Sequence, residues 1–532
     1  MTAPDILFRG ATVVDGTGSP GYRADVRVAA GRIAEIDLAG GLSAAPGTRV
    51  TEADGLVLAP GFIDMHSHSD LRLLAEPEHL AKISQGVTLE VLGQDGLSYA
   101  PVNDETLAVL RAQLAGWNGD PPGFDWNWRD VGCYLGRLDK GVAVNAAYLV
   151  PHGTVRMMVM GWADRPATTA EIARMCEITA TGLREGAVGL SAGLTYAPGM
   201  YAEEAELSAL LEVVAAHGGY FSPHHRSYGA GALEAYREMV ELSARTGCPL
   251  HLAHATMNFP VNAGRAGELL ALLDETGADV TLDTYPYLAG ATYLSALLPS
   301  WAAAGGAAET LARLSDADTR ELVRAELEET GSDGCHGVPV DWTAIEINGV
   351  RLAEHRHLVG RTVAESAAAA GVPPFELFAD TLVRERLGTS CLMHVGHEEN
   401  VRAIMRHPAH TGGSDGLLVG DRPHPRAWGT FPRYLGHYVR ELGVLGLEEC
   451  VAHLTGRPAR RLRLTDRGLV RVGHAADLVL FDPTTITDTA TYAEPRQPAT
   501  GIPHVLVNGV PVIADGTPTG ELPGHSIRRA GA

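Results

Sequence analysis

The feature that most constrains this chain is an alternation. Short apolar runs recur at Thr88 to Leu92, Val142 to Val150, Val188 to Ser191, Tyr220 to Pro223, Leu250 to His254 and Val280 to Asp283. Between them lie longer stretches, several rich in Ala, Leu and Glu, such as Glu203 to Ala216 and Ala230 to Thr246. An apolar run bounded by helical sequence reads as a strand buried on both faces, and a parallel strand needs a long crossover, usually a helix, to bring the chain back. Repeated over this length, the pattern predicts an α/β chain built on a (β/α)8 barrel.

The ends follow a different rhythm. Ile6 to Phe8, Ala11 to Val14, Asp25 to Ala29 and Arg32 to Ile36 are short β-branched runs separated by glycine turns. A matching set closes the chain: Ala476 to Phe481, His504 to Val507, an Asn508-Gly509 turn and Val510 to Ile513. Asn-Gly between apolar runs is a strong hairpin signal. Strands at both termini predict a small β-sandwich domain assembled from 1–59 and 468–532, with the barrel over 60–467. The stretch from about 288 to 387 interrupts the barrel rhythm with helical, Ala-rich and Gly-rich sequence, and reads as an insertion or lid over the strand ends.

Composition narrows the partners. The 532 residues carry 42 basic and 64 acidic side chains, so the net charge is 42 − 64 = −22. That balance repels a phosphate backbone and an anionic membrane surface, so neither nucleic acid nor membrane is an expected partner. No apolar run approaches the roughly 18 residues of a spanning helix. Met1 to Gly16 lacks the basic patch and apolar run of a signal peptide, and the six cysteines are scattered without close pairs. The expected setting is the reducing cytoplasm. Lysine occurs only at Lys82 and Lys140.

The sharpest local signal is Asp64-Met65-His66-Ser67-His68, just after a Pro60-Gly61 turn. Positions i and i+2 of an extended segment point the same way, so His66 and His68 can converge on one ion. Alone, His-x-His is weak. Three further strand ends strengthen it: His224-His225-Arg226, Leu252-Ala253-His254, and Gly412-Gly413-Ser414-Asp415-Gly416. Imidazole and carboxylate are natural zinc ligands, and barrel active sites lie at the carboxyl-terminal ends of the strands.

This constellation resembles the amidohydrolase superfamily and, within it, the N-acyl-D-amino-acid deacylase (D-aminoacylase) family. The resemblance runs nearly end to end. It includes Gly193-Leu194-Thr195-Tyr196, Asp283-Thr284-Tyr285-Pro286-Tyr287, the run from His424 to Arg433, and the tail segments Ala493-Glu494-Pro495 and Pro498 to Ile502. It implies a TIM-like metal-dependent hydrolase barrel holding one or two Zn2+ ions, with His66 and His68 on one metal and His224 and His254 on the other. Asp415 is implied as the catalytic acid/base. His225 and His251 are neighbouring rivals for the ligand positions. Where the family carries a metal-binding cysteine after the second strand, this chain reads Gly93-Gln94-Asp95-Gly96. Related amidohydrolases bridge two metals with a carbamylated lysine, but Lys82 lies in a helical stretch and Lys140 precedes its strand. Asp95 is therefore the expected bridging carboxylate, a hard oxygen donor that zinc accepts.

The resemblance also implies that Arg426 holds a substrate carboxylate and that Tyr196 and Tyr285 line the pocket. His152, near the end of the third strand, is a further candidate for the site. Two departures weaken polar contact to a free carboxylate: the family lysine two residues past His254 is Thr256, and a pocket serine is Ala291. The implied reaction is hydrolysis of a small-molecule N-acyl-D-amino acid. A cyclic-amide hydrolase of the hydantoinase or dihydroorotase kind, and a metal-free structural relative, are the competing readings; the oligomeric state is left open.

Overall fold

The computed structural model describes residues 4–529; the outermost residues of the expected terminal domain, 1–3 and 530–532, lie outside them. The alternating region forms eight parallel strands: β1 (Phe62–Asp64), β2 (Val87–Leu92), β3 (Asn145–Pro151), β4 (Gly189–Gly193), β5 (Tyr220–His224), β6 (Leu250–Leu252), β7 (Val280–Thr284) and β8 (His410–Gly412). Each pairs with the next in sequence order. β2 and β3 are buried at every position, as expected of strands covered on both faces. The helices that return the chain include Thr169–Arg184, which opens with a reciprocal Thr168–Glu171 capping box, Glu204–Ala216 and Ala232–Thr246.

The ring is closed by segments just past β1 and β8. Met65 N donates to Gly412 O at 3.1 Å, Asp415 N to His66 O at 2.8 Å, and His68 N to Gly416 O at 3.3 Å. These bonds place the His-x-His segment against Asp415 although 349 positions separate His66 from it (415 − 66). Gly61 permits the entry to β1: a Cβ there would lie 2.2 Å from Thr88 Cγ2.

Strands from both chain ends share one nine-stranded hydrogen-bonded sheet. Its seam is the antiparallel pairing of Val57–Pro60 with Leu478–Phe481. Phe8, Val26, Leu58, Leu478 and Leu506 belong to its buried core. Asn508 and Gly509 both have positive φ, the conformation a two-residue type I′ hairpin requires.

The connection from β7 to β8 carries a four-stranded antiparallel sheet of Ala289–Tyr293, Ser390–His394, Ile345–Gly349 and Arg361–Thr362. It has its own core, including Leu297, Ile347, Phe378 and Leu382. The Ala-rich, helical reading of this stretch did not include these strands, and Ser390–His394 lies wholly beyond the expected boundary at 387. Short strands whose partners lie far along the chain leave little local periodicity. Among the described residues, no helix is long and apolar enough to cross a membrane.

Candidate metal centre and substrate cavity

Six side chains from five strand ends converge. His66 and His68 follow β1, with their Nε2 atoms 3.4 Å apart. Asp95 lies three residues past β2 and faces both histidine pairs. Its Oδ1 is 3.5 Å from His66 Nε2 and 3.4 Å from His254 Nε2, and its Oδ2 is 3.4 Å from His68 Nε2 and 3.6 Å from His224 Nδ1. His224 ends β5, and His254 lies two residues past β6; their facing nitrogens are 3.1 Å apart. Asp415 Oδ1, past β8, is 3.2 Å from His68 Nε2 and 3.7 Å from His66 Nε2. Two donor groups result, His66–His68–Asp95–Asp415 and Asp95–His224–His254, with Asp95 common to both.

This donor set fits zinc. Tetrahedral zinc with ligands at about 2.0–2.1 Å sets neighbouring donors about 3.3–3.4 Å apart, and the spacings here run from 3.1 to 3.7 Å. Asp95 Oδ1 and His66 Nδ1 are buried without a protein hydrogen-bond partner. Burial alone would raise the Asp95 carboxyl, but His66 and His254 outweigh it and hold it well below the usual carboxylate range. Burial likewise pushes the His66 imidazole down, and Asp95 and Asp283 reverse this to leave it well above its ordinary value.

The surroundings fix these donors in place. His224 Nε2 pairs with Thr195 Oγ1 at 2.6 Å. Asp283 accepts from His254 N at 3.0 Å, and Gly413 lets the chain pass it: a Cβ at Gly413 would lie 2.5 Å from Asp283 Oδ1. Asp95, His254 and Asp415 have φ of +54°, +32° and +47°. Non-glycine residues held in this region cluster at functional sites because surrounding structure must enforce the conformation. The two rival histidines point elsewhere. His251 pairs with Asp283 and Thr281, while His225 is wedged between the rings of Tyr228 and Tyr236.

A cavity of about 80 Å3 opens above the donors. Tyr196 and Tyr285 line it. Tyr196 packs on His224 and meets Thr292 Oγ1 at 3.1 Å. Arg426 is fully buried beside it, with Nη2 2.9 Å from Asp415 Oδ2 and its guanidinium 4.4 Å from the Tyr285 ring centre; its Nε and Nη1 have no protein partner. Burial would raise the Asp415 carboxyl, but Arg426 and the histidines hold it below the usual range. Thr256 and Ala291 both line the cavity, so the two departures fall within it.

His152 is not among the lining residues. It starts the helix after β3, and its Nε2 turns to Glu206 Oε1 at 2.7 Å, a carboxylate shared with buried Arg156. A strand-end position gave the wrong direction because the neighbouring buried carboxylate captures the imidazole. Conversely, Trp117, Tyr228, Phe259, His336 and Met393 line the cavity without having been singled out. They come from the short helix Ala115–Asn118, from loops and from the β7–β8 connection, where no motif marks them. Lys82, set aside as a bridge, lies fully buried just beneath the donors. Its Nζ contacts Asp64 at 2.6 Å, Ser414 at 2.8 Å and Glu90 at 3.0 Å, a network that strand patterning could not foretell.

Residues 49–513 match the family described as the Amidohydrolase family. The chain belongs to that family. Within it, this amidohydrolase is 36% identical over 531 residues to N-acyl-D-glutamate deacylase of Alcaligenes xylosoxydans xylosoxydans, covering 99% of this chain and 96% of the relative. It is also 36% identical over 538 residues to the D-aminoacylase of that organism, covering 99% and 98%. A crystal structure of N-acyl-D-glutamate deacylase from Bordetella bronchiseptica, complexed with zinc and a phosphonate inhibitor that mimics the reaction's tetrahedral intermediate, superposes with a TM-score of 0.82. It is 34% identical, and the match covers 99% of this chain and 100% of that one. This amidohydrolase is thus a member of the N-acyl-D-amino-acid deacylase group.

Proposed function

We propose that this amidohydrolase cleaves the amide of N-acyl-D-amino acids, giving a carboxylate and a free D-amino acid. The observation that carries the reading is the placement of Asp415, with one oxygen against His68 and the other 2.9 Å from Arg426. A proton-transfer group thereby stands beside a cation suited to the substrate carboxylate. His66, His68, Asp95, His224, His254 and Asp415 would hold zinc, which when bound supplies Lewis acidity that makes water nucleophilic near neutral pH.

The protein's own groups do the rest. Arg426 offers its unpartnered Nε and Nη1 to the substrate carboxylate and fixes the amide over the donors. Asp415 takes a proton from the attacking water and returns it to the departing amine nitrogen. Tyr285 stacks on Arg426 and holds it in place, and Tyr196 forms part of the wall around the acyl carbon. Apart from Arg426, buried behind Asp415 and Tyr285, no lysine or arginine among the described residues borders the cavity, while Trp117, Tyr228, Phe259 and Met393 line it. The favoured side chain is accordingly neutral and apolar, since an acidic one would be buried without a counter-charge. We assign the chemistry to residues 60–467 and a supporting role to the sheet from both termini. The cysteines, all free, support a cytoplasmic setting.

The test is a hydrolysis screen of the zinc-loaded protein on N-acetyl-D-leucine, N-acetyl-D-glutamate, N-acetyl-L-leucine and hydantoins. D-leucine release should dominate, and Asp415→Asn should lower turnover by about 10²- to 10⁴-fold while leaving the fold intact by circular dichroism. Exclusive ring opening, or preference for the L substrate, would overturn the reading.

A further inference from the structure

A second cavity, about 940 Å3 and open to solvent, adjoins the catalytic one. Thr195 and Ala296 line both, so the two spaces meet at the residue whose hydroxyl contacts His224. Its apolar walls include Val109, Trp162, Met200, Tyr293, Leu298 and Leu311, drawn from the helix Asp104–Gln113, the loops after β3 and β4, and the insertion. Several polar groups along it are already paired: Arg111 with Asp120 at 2.9 Å, and Thr310 with Gly306 O at 3.0 Å. Arg351 and Arg386 also border it, and apolar side chains supply the larger share of the remaining wall. Apolar side chains gathered along one solvent-open groove mark a place where an apolar group can bind.

Its position around the barrel says which part of a substrate it would take. In a closed ring of eight consecutively paired strands, β4 and β8 are four steps apart in either direction and stand opposite each other. Arg426 and Asp415 belong to the β8 side, and Thr195 follows β4. A substrate whose carboxylate is held on the β8 side and whose amide lies over the central donors sends its acyl group towards β4, where the second cavity begins.

We infer that this cavity is an acyl-chain site and that the enzyme acts on N-acyl-D-amino acids with medium to long unbranched acyl chains. The inference rests on the deacylase reading above. Each methylene moved from water into such a site adds favourable burial, which is realised in kcat/KM when the chain stays bound in the transition state.

The experiment compares N-acetyl-, N-hexanoyl- and N-decanoyl-D-leucine with the zinc-loaded full chain and with Ala112→Trp and Ala307→Trp. Both alanines line the cavity and are exposed, so an indole can enter the space without displacing core. We expect kcat/KM to rise at least tenfold from acetyl to decanoyl, and each tryptophan to cut the decanoyl-to-acetyl ratio at least tenfold. A flat or falling profile, or a rise that survives both tryptophans, overturns the acyl-chain site while hydrolysis of the acetyl substrate leaves the deacylase reading standing. No hydrolysis at any chain length overturns both.

Discussion

Two buried clusters of charge lie one above the other at the top of the barrel, and they solve the same problem in opposite ways. In the lower one, Lys82 neutralises Asp64 and Glu90, His79 pairs with Glu90 at 2.6 Å, and Ser67, Ser69 and Ser414 fill the remaining positions. In the upper one, Asp95 and four imidazoles face one another across 3.4–3.6 Å, too far for good hydrogen bonds, and Asp95 Oδ1 has no partner at all. A buried charge is retained only when something pairs with it. The lower cluster is complete within the chain. The upper one is complete only with a cation, and this difference marks it as the working site.

The largest effect should come from breaking the upper cluster at its shared member. Asp95→Ala should lose zinc by elemental analysis and cut turnover on the order of 10³-fold, the scale seen when a key electrostatic group is removed. Full zinc content with undiminished turnover would mean Asp95 is a turn residue. The lower cluster should respond in stability instead. Lys82→Met leaves Asp64 and Glu90 facing each other and should cost about 3–5 kcal/mol in urea unfolding. A loss below about 1 kcal/mol would show that the pair is not relying on Lys82.

A smaller effect should follow at the substrate edge. Arg426→Lys retains charge but loses the guanidinium donors and the stacking on Tyr285. The KM for an N-acyl-D-amino acid should rise about ten- to a hundredfold, the worth of one charged hydrogen bond; an unchanged KM would move the carboxylate site elsewhere.

The smallest concerns acid. Burial would raise the Glu90 carboxyl, but His79 and Lys82 hold it below its ordinary value. A carboxylate depressed in the folded state contributes stability above its unfolded pKa, about 4.3, and that stability is lost as pH falls towards the folded value. Glu90→Gln should therefore flatten the stability profile below about pH 4.3, with a slope change of at most about 1.4 kcal/mol per pH unit. An unaltered slope in acid unfolding would assign the acid sensitivity to other groups.

Much of the site was legible before any coordinates. His66 and His68 announce themselves by a spacing that works only in extended chain, and β2, β3, β5 and β7 stand out as apolar runs. Asp95 was legible because it stands where a metal-binding cysteine is otherwise found. The cavity walls were not. His336 and Met393 come from the β7–β8 connection, whose strands pair across long sequence separations, and the pairing of His152 with Glu206 has no local sequence signal. A helical position argues against Lys82 as a bridging lysine but says nothing about which carboxylates its four-carbon stem reaches.

What the sequence determined by itself was local and periodic: strand and helix alternation, the Asn508-Gly509 hairpin, and the donor types at the strand ends. These follow from backbone geometry and side-chain chemistry within a few residues. Tertiary structure decided what depends on distance through space. The hydrogen bonds from Asp415 N to His66 O and from His68 N to Gly416 O close the ring and bring residues hundreds of positions apart within 4 Å. Only that closure sets Asp95 between both histidine pairs, places Lys82 beneath them, and puts Arg426 across the barrel from the second cavity.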